Sequence, residues 1–322
     1  MSAPTAIIIL NWNSREMTAN CIRSVRAMEA PSYEIIVVDN ASTDGSAQSL
    51  AHEFPQIAVL PQSRNLGFAA GCNVGMRHAL AKGADYMLLL NNDTYVARDF
   101  LSELLAPIEA DSNTAAVCSK IYFADRADLL WYAGGDFNPW KGTSKHRGYK
   151  QIDRRQFDEQ PDITAATGCA MLVRSKAVRE VGLFDEQFWC YAEDLDWSLR
   201  FLKRGYRLGF APKARVWHYD GATSVKSMGS GSHAIKQFYS TRNMVFVARK
   251  HLPWWQVPSY ALGFAINHIG FYTMLRLWRG DLRALVAIYK GLSQGLRTPL
   301  SASWQPGPSS AGEVSGIGNA NY

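Results

Sequence analysis

Residues 86–96 read YMLLLNNDTYV, a wholly apolar run set directly against Asn91, Asn92, Asp93 and Thr94. Continuous apolar character marks a strand buried on both faces, and in an open parallel sheet the ligand crevice lies beyond the carboxyl ends of the strands. That places Asp93 at a candidate site, although Asp and Asn also end strands and cap helices for structural reasons alone. Recurrence decides between the two. TAIIILNWN (5–13), YEIIVVDN (33–40) and IAVLPQSRN (57–65) are apolar runs that close on Asn11 and Asn13, on Asp39 and Asn40, and on Arg64 and Asn65. Four polar junctions at four strand ends converge on one edge of a sheet, which favours a ligand site over four unrelated caps.

Helical segments alternate with these strands: SREMTANCIRSVRAM (14–28) with Ser14 as its cap, a helix beginning near TDGSAQSLAHEF (43–54), and GFAAGCNVGMRHALAKG (67–83). The alternation predicts an α/β fold, a mostly parallel central sheet with helices on both faces. After the helix FLSELLAPIEA (100–110), AAVCSKIYF (115–123) and ITAATGCAMLVR (163–174) read as strands separated by a long loop of the kind that shapes pockets. WCYAEDLDWSLRFLKRG (189–205) reads as a helix entered at Ala192-Glu193-Asp194, and YRLGFAPKARVWHYD (206–220) as an extended segment. From 232 the chain reads as helical, and the Ser-, Gly- and Pro-rich residues 301–322 as a loosely ordered tail. The expected division is 1–225 for the catalytic unit, with halves 1–97 and 98–225, then 226–300 for a helical C-terminal region.

At 322 residues and 47% hydrophobic, the chain has ample material for a core. Its five cysteines, Cys21, Cys72, Cys118, Cys169 and Cys190, are widely spaced without a C-x-x-C, so they suggest neither a disulfide framework nor a zinc knuckle. They fit buried thiols in a reducing, cytoplasmic setting, and the first residues lack the layout of an export signal. Of the net +6, residues 221–322 contribute ten Lys or Arg against only Asp281 and Glu313. Such a basic region suits an anionic membrane leaflet or a diphosphate-bearing acceptor; no zinc-finger or ribonucleoprotein signature accompanies it, so nucleic acid is not the expected partner. PSYALGFAINHIGFYTMLRLW (258–278) nearly reaches the length of a bilayer span but centres on Asn267 and His268. With Arg276, Arg279 and Arg283 and the nearby Trp254, Trp255 and Trp278, it fits a helix lying in a membrane interface, or an apolar helix packed on its own domain or on a partner subunit.

Glu193, Asp194 and Asp196 form a second acidic cluster. On a helix, positions 193 and 196 share a face and 194 points away, so the three do not converge on one ligand, and acids in a first turn also answer the helix dipole. Gly67, Gly71 and Gly75 do not form G-x-G-x-x-G, which weighs against a nicotinamide site.

Taken in order, IIILNWN, VVDNASTDGS, RNLGFAAGCNVG, LLLNNDT, ATGCAMLVR, VGLFDEQF, YAEDLDWSLR and VWHYDGATS resemble family 2 glycosyltransferases with the GT-A fold, most densely over residues 5–220. YSTRNMVFVARKH (239–251) is similar to the branch containing bacterial rhamnosyltransferases of cell-surface polysaccharide synthesis. The resemblance implies a nucleotide-sugar site at Asn11, Asn13, Asp39, Asn40, Arg64 and Asn65, with Asn91-Asn92-Asp93 in the place of the D-x-D motif. The first Asp of that motif is here Asn91, which leaves Asp93 as the charged ligand for Mg²⁺ or Mn²⁺; either ion takes one or two protein carboxylates and fills its other positions from a substrate diphosphate and water. His218 resembles the late His that joins the ion, or serves as a structural hydrogen-bonding His. Asp194 is implied as the base, with Glu193 beside it, in one inverting displacement; Gly168, Cys169, Trp189 and Asp196 fall in the implied acceptor region, and Trp131 and Trp140 are further candidate platforms for a sugar. The expected reaction moves L-rhamnose from dTDP-L-rhamnose to a saccharide or a polyprenyl-diphosphate-linked saccharide, at the cytoplasmic face of a bacterial inner membrane, by a protein that also has the option of forming a homo-oligomer. The alternatives are a transferase using a UDP- or other NDP-hexose or N-acetylhexosamine, and a non-catalytic nucleotide-sugar-binding assembly subunit.

Overall fold

The computed structural model describes residues 4–30, 32–160, 162–220 and 232–300; the expected boundary at 225/226 and the tail at 301–322 lie outside the described residues. The four apolar runs form β1 (Thr5–Asn11), β2 (Tyr33–Asp39), β3 (Ala58–Pro61) and β4 (Tyr86–Asn91), parallel and in the spatial order β3-β2-β1-β4. Ile7, Ile8 and Ile9 of β1 and Met87 to Leu90 of β4 are buried, as strands covered on both faces require. Register aligns the polar ends: Asn11 pairs with Asp39, Leu10 with Asn91, and Asp39 with Pro61. The connections are α1 (Arg15–Arg26), α2 (Ser46–Glu53) and α3 (Gly67–Ala81). Ser14 occupies the N-cap position of α1, but its side chain makes no capping bond. α3 lies close on β1: a Cβ at Gly71 would come within 2.6 Å of a Leu10 methyl.

Beyond β4 the sheet becomes mixed. β5 (Thr94–Val96) and α4 (Phe100–Ala110) lead to β6 (Thr114–Phe123), β7 (Arg126–Tyr132), the hairpin of β8 (Gly135–Asn138) and β9 (Thr143–His146), and β10 (Ala170–Arg174). α5 (Ser175–Val181), α6 (Glu193–Lys203) and β11 (Arg207–His218) follow. The sheet continues β4-β10-β6-β11-β5, with β10 antiparallel to both neighbours and β11 parallel to β6. The expected loop between the strands at 115–123 and 163–174 therefore contains β7 and a hairpin, whose short strands carry no apolar alternation. Its charged stretch is fastened by the buried Lys120, whose Nζ lies 3.0 Å from Asp153 and also meets Asp158.

The C-terminal region is helical as expected: α7 (Ser232–His251), α8 (Val257–Phe264), a π turn (Ala265–Gly270), α9 (Phe271–Trp278) and α10 (Leu282–Arg297). A second core joins it to the rest of the chain, with Met244 to Ala248, Tyr260 and Phe264 packed with Phe188 and Leu195. The polar centre of the 258–278 segment faces its own chain: Asn267 donates to the Lys141 carbonyl at 3.2 Å, and His268 lies 3.0 Å from the Thr241 hydroxyl. No helix among the described residues is long and apolar enough to cross a membrane. Arg276 departs from its expected role at an interface, because it is buried with its guanidinium 3.4 Å from Asp281.

Candidate active site

The polar ends of β1 and β2 are welded by side chains. Asn11 donates to Asp39 at 2.7 Å and to Ser42 at 3.1 Å, and accepts from Thr18 at 2.6 Å; Thr18 in turn accepts from Asn92 at 2.9 Å. Asp39 is buried and also accepts from the Ser42 amide. Asn13, at φ 49°, accepts from the Thr43 amide at 2.7 Å and so shapes the turn after β2. Asn40 donates to Asn65 at 2.9 Å and to the Gly67 carbonyl at 3.1 Å, while Leu66 and Gly67 donate back to Asn40 and Asn65. These bonds fix the loop that carries the exposed Arg64 at the entrance to α3. Gly67 has φ +80°, and a Cβ there would lie 2.7 Å from the Trp189 ring, so the site needs glycine for both backbone and space.

Asp93 meets His218 through sheet register. β5 pairs with β11 so that Thr94 lies opposite His218, and the Tyr219 amide donates to the Asp93 carbonyl at 2.9 Å. His218 Nε2 then lies 3.2 Å from Asp93 Oδ1, with both side chains buried. Burial works against the imidazolium, but Cys169 and Asp93 more than reverse it, and the His218 pKa rises well above its ordinary value. Trp131 stands edge-on between His218, at 4.9 Å, and His146, at 4.6 Å. A carboxylate oxygen and an imidazole nitrogen side by side at the strand ends fit a divalent ion completed by a diphosphate and water; no group of three or more metal-ligating side chains exists among the described residues.

One short segment links this pair to the acidic cluster. Cys169 is buried, its carbonyl accepts from the Asn91 amide at 2.8 Å, and burial raises its thiol pKa against the opposing pull of His218. Its neighbour Gly168 donates an N–H to Asp194 at 3.0 Å, and Asp194 also accepts from the Leu195 amide at 2.8 Å. Burial raises the Asp194 pKa, and these N–H groups oppose the rise. Glu193 is buried, and its pKa is pushed well up by burial and then by Asp194. Thus Asp194, Gly168, Cys169, Asp93 and His218 come together.

Asp196 does not join them. It is fully buried and turned onto α7, 2.8 Å from Lys250 and His251 and 2.9 Å from Arg200. The acceptor role expected of it gives way to a structural one, because the 193/196 face packs inward. Trp189 stacks on Tyr239 at 4.9 Å beside Gly67, and so borders the crevice. Trp140 is exposed against Trp255, 5.6 Å away, on the hairpin. Sequence reasoning missed Thr18, Ser42 and Asn243; the only signal for Asn243 was a polar Arg-Asn pair opening the apolar run MVFVA.

The profile of glycosyl transferase family 2 matches residues 6–182. The N-acetylglucosaminyl-diphospho-decaprenol L-rhamnosyltransferase of Mycobacterium tuberculosis is 27% identical over 72% of this chain and 80% of its own length. The dTDP-rhamnosyl transferase RfbF of Shigella flexneri is 24% identical over 79% of this chain and 83% of its own. Among solved structures, the Pyrobaculum calidifontis mannosyltransferase PcManGT in complex with GDP-Man and Mn²⁺ superposes with TM-score 0.57 at 16% identity, covering 92% of this chain and 88% of that one. At that identity the likeness concerns fold alone, and it bears out the GT-A-type reading.

Proposed function

Because the chain belongs to glycosyl transferase family 2, we propose that it transfers L-rhamnose from dTDP-L-rhamnose to a hydroxyl of a saccharide carried on a lipid diphosphate. The observation that carries this reading is the union, through residues 167–169, of the Asp93–His218 pair with Asp194 at the carboxyl edge of the sheet. The rhamnosyl donor and the polyprenyl-diphosphate acceptor are supported by the names of the two relatives.

The Asn11–Asp39–Ser42 network and the Asn40–Asn65 clasp give the nucleotide a preformed bed, with Arg64 at its rim for the diphosphate. Asp93 and His218 would hold Mg²⁺ or Mn²⁺, which when bound neutralises charge on the departing diphosphate. Asp194 takes the proton of the acceptor hydroxyl as its oxygen bonds to the anomeric carbon and the bond from that carbon to the diphosphate oxygen breaks, inverting the configuration. Burial that raises the Asp194 pKa makes it a stronger base than an exposed aspartate.

The acceptor reading has a matching surface. Met274, Trp278, Leu262 and Ile266 on the C-terminal helices and Trp254 in the turn before α8 are exposed, Trp254 at 85% and Trp278 at 81%. Arg279, Arg283 and Lys290 are exposed beside them, and Asp281 is the one acid between residues 232 and 300. An anionic bilayer carrying the lipid-linked acceptor is the occupant this combination suits.

A panel of nucleotide sugars, each with Mg²⁺ or Mn²⁺, tests the donor through protection against thermal unfolding. dTDP-L-rhamnose should protect most and should be consumed with an N-acetylglucosaminyl lipid diphosphate. Stronger protection by a UDP-sugar would move the donor to the hexose or N-acetylhexosamine alternative, and donor binding without transfer would favour the assembly-subunit alternative.

A further inference from the structure

Three of the four residues before α6 carry a backbone that their side chains do not favour. Trp189, Tyr191 and Ala192 have φ of 63°, 66° and 63°, and none is glycine. Left-handed conformations at non-glycine residues are costly and persist only where the surroundings impose them. Here the surroundings are two adjacent residues of α7. Asn243 donates through Nδ2 to the carbonyls of Phe188 at 2.9 Å, Cys190 at 2.8 Å and Tyr191 at 2.6 Å. Arg242 donates through Nη2 to the carbonyls of Gln187 at 2.9 Å and Phe188 at 2.8 Å, and its Nε donates to Asn243 Oδ1 at 2.8 Å, orienting the amide. The guanidinium lies over the rings of Tyr239, at 4.6 Å, and Phe246, at 5.0 Å. Asn243 is wholly buried.

Two helical turns further along α7, Lys250 and His251 reach Asp196. α7 therefore grips both the turn that enters α6 and the first turn of α6 itself at Asp196, and Glu193 and Asp194 lie between the two grips. The Ala192 carbonyl accepts from the Asp196 amide at 3.0 Å, so the left-handed residue is itself the start of the helix.

We propose that Arg242 and Asn243 are positioning residues: by collecting the carbonyls of Gln187, Phe188, Cys190 and Tyr191, they hold the left-handed turn that aims Asp194 at the acceptor hydroxyl. The assignment of Asp194 as base rests on the function proposed above; the clamp itself rests on the hydrogen bonds. It makes α7 part of the reaction machinery.

The test uses the full chain with N243A, R242K and N243A combined with Ala192→Gly, a residue that accepts positive φ unaided. Amide hydrogen exchange over residues 188–196 reads the turn without any substrate, and steady-state transfer and nucleotide-sugar affinity read its consequence. In N243A, exchange at the turn should quicken at least tenfold and kcat should fall at least tenfold, with donor affinity changed less than twofold; R242K, which keeps the charge but loses the fork that bonds Asn243 and the carbonyls together, is the second variant should N243A not fold, and should shift both in the same direction. Adding Ala192→Gly should recover part of the lost kcat. Unchanged exchange in both single variants, a fall in donor affinity matching the fall in turnover, or no recovery on adding glycine overturns the clamp. Faster exchange in the variants of a protein whose wild type transfers no sugar upholds the clamp and overturns the proposed function instead.

Discussion

His218 Nε2 lies 3.2 Å from Asp93 Oδ1 because β11 runs beside β5 in a register that sets His218 against Thr94, so residues 125 positions apart in sequence share one buried corner. If this corner holds the ion, Asp93→Ala removes the carboxylate beside His218 while β4 and β5 keep their pairings. Transfer should fall by more than the roughly 10–100-fold typical of losing an outer-shell partner, and the Mn²⁺-dependent part of donor binding should vanish. His218→Ala should weaken that part less, since the carboxylate carries the charge. Donor titrations with and without Mn²⁺ check both, and near-native metal dependence in D93A would assign the ion elsewhere.

Asp194→Asn keeps the size and one of the two backbone contacts, since an amide has a single acceptor oxygen, but cannot take a proton. Turnover should drop by about 10²–10⁴-fold, the usual share of a general base, while protection by donor stays near the wild-type level. Glu193→Gln should cost less than about tenfold on the same scale, because the buried Glu193 is already disposed to be protonated. Asp194 is raised by burial, so the acid limb of the wild-type kcat profile should lie above the ordinary carboxylate range, as the property of the Glu193–Asp194 pair. An E193Q loss as deep as that of D194N would transfer the role of base to Glu193.

The parallel half of the fold was legible because strands buried on both faces leave unbroken apolar runs, as at Ile7 to Ile9 and Met87 to Leu90. The four polar strand ends were legible for the same reason, since each closes one of these runs. The hairpin Gly135–His146 was not legible: its strands are four residues each and carry no period of two. The two faces of α6 were predicted to diverge, and they do, yet besides Arg200 the partners of Asp196, Lys250 and His251, lie on α7, where spacing on one helix says nothing. Asn243 escaped notice for a related reason, since its hydrogen bonds go to backbone carbonyls that leave no pattern in sequence.

Asp196 links α6 to α7 through Lys250 and His251 and pairs with Arg200 on its own helix, and its replacement by Asn strands buried cations. Breaking a buried pair by removing one partner costs about 3–5 kcal/mol, so the urea midpoint of D196N should fall clearly at pH 7. Burial opposes the Asp196 charge, but the His251 hydrogen bond, Arg200 and Lys250 prevail and hold its pKa well below the ordinary value; burial lowers His251, which donates as a neutral ring at pH 7. A depressed folded pKa gives stability that is complete above the unfolded value of about 3.9 and is lost as pH falls through the folded one. The gap between wild type and D196N should therefore narrow progressively below about pH 4. A gap of constant size from pH 7 to pH 3 would show that the ion pairs do not stabilise the α6–α7 contact.

The exposed face of the C-terminal helices makes the last prediction. Trp254, Trp278, Leu262, Ile266 and Met274 are exposed, and the polar groups of Asn267 and His268 hydrogen-bond back to the chain, which suits a segment resting on a surface. Each basic residue near an anionic leaflet contributes about 1 kcal/mol, so Arg279, Arg283 and Lys290 together matter although each alone is modest. Arg276 is left intact in the test, since its pairing with Asp281 is internal. Full-length protein should co-sediment with anionic liposomes and not with neutral ones, and raising the salt should release it. Changing Arg279, Arg283 and Lys290 to Gln should lower binding to anionic liposomes, and Trp254→Ser with Trp278→Ser should lower it further, with donor affinity unchanged in both. Equal binding to neutral and anionic liposomes would remove the electrostatic part of the reading, and a concentration-dependent dimer broken by the same tryptophan substitutions would give this face to a second copy of the chain.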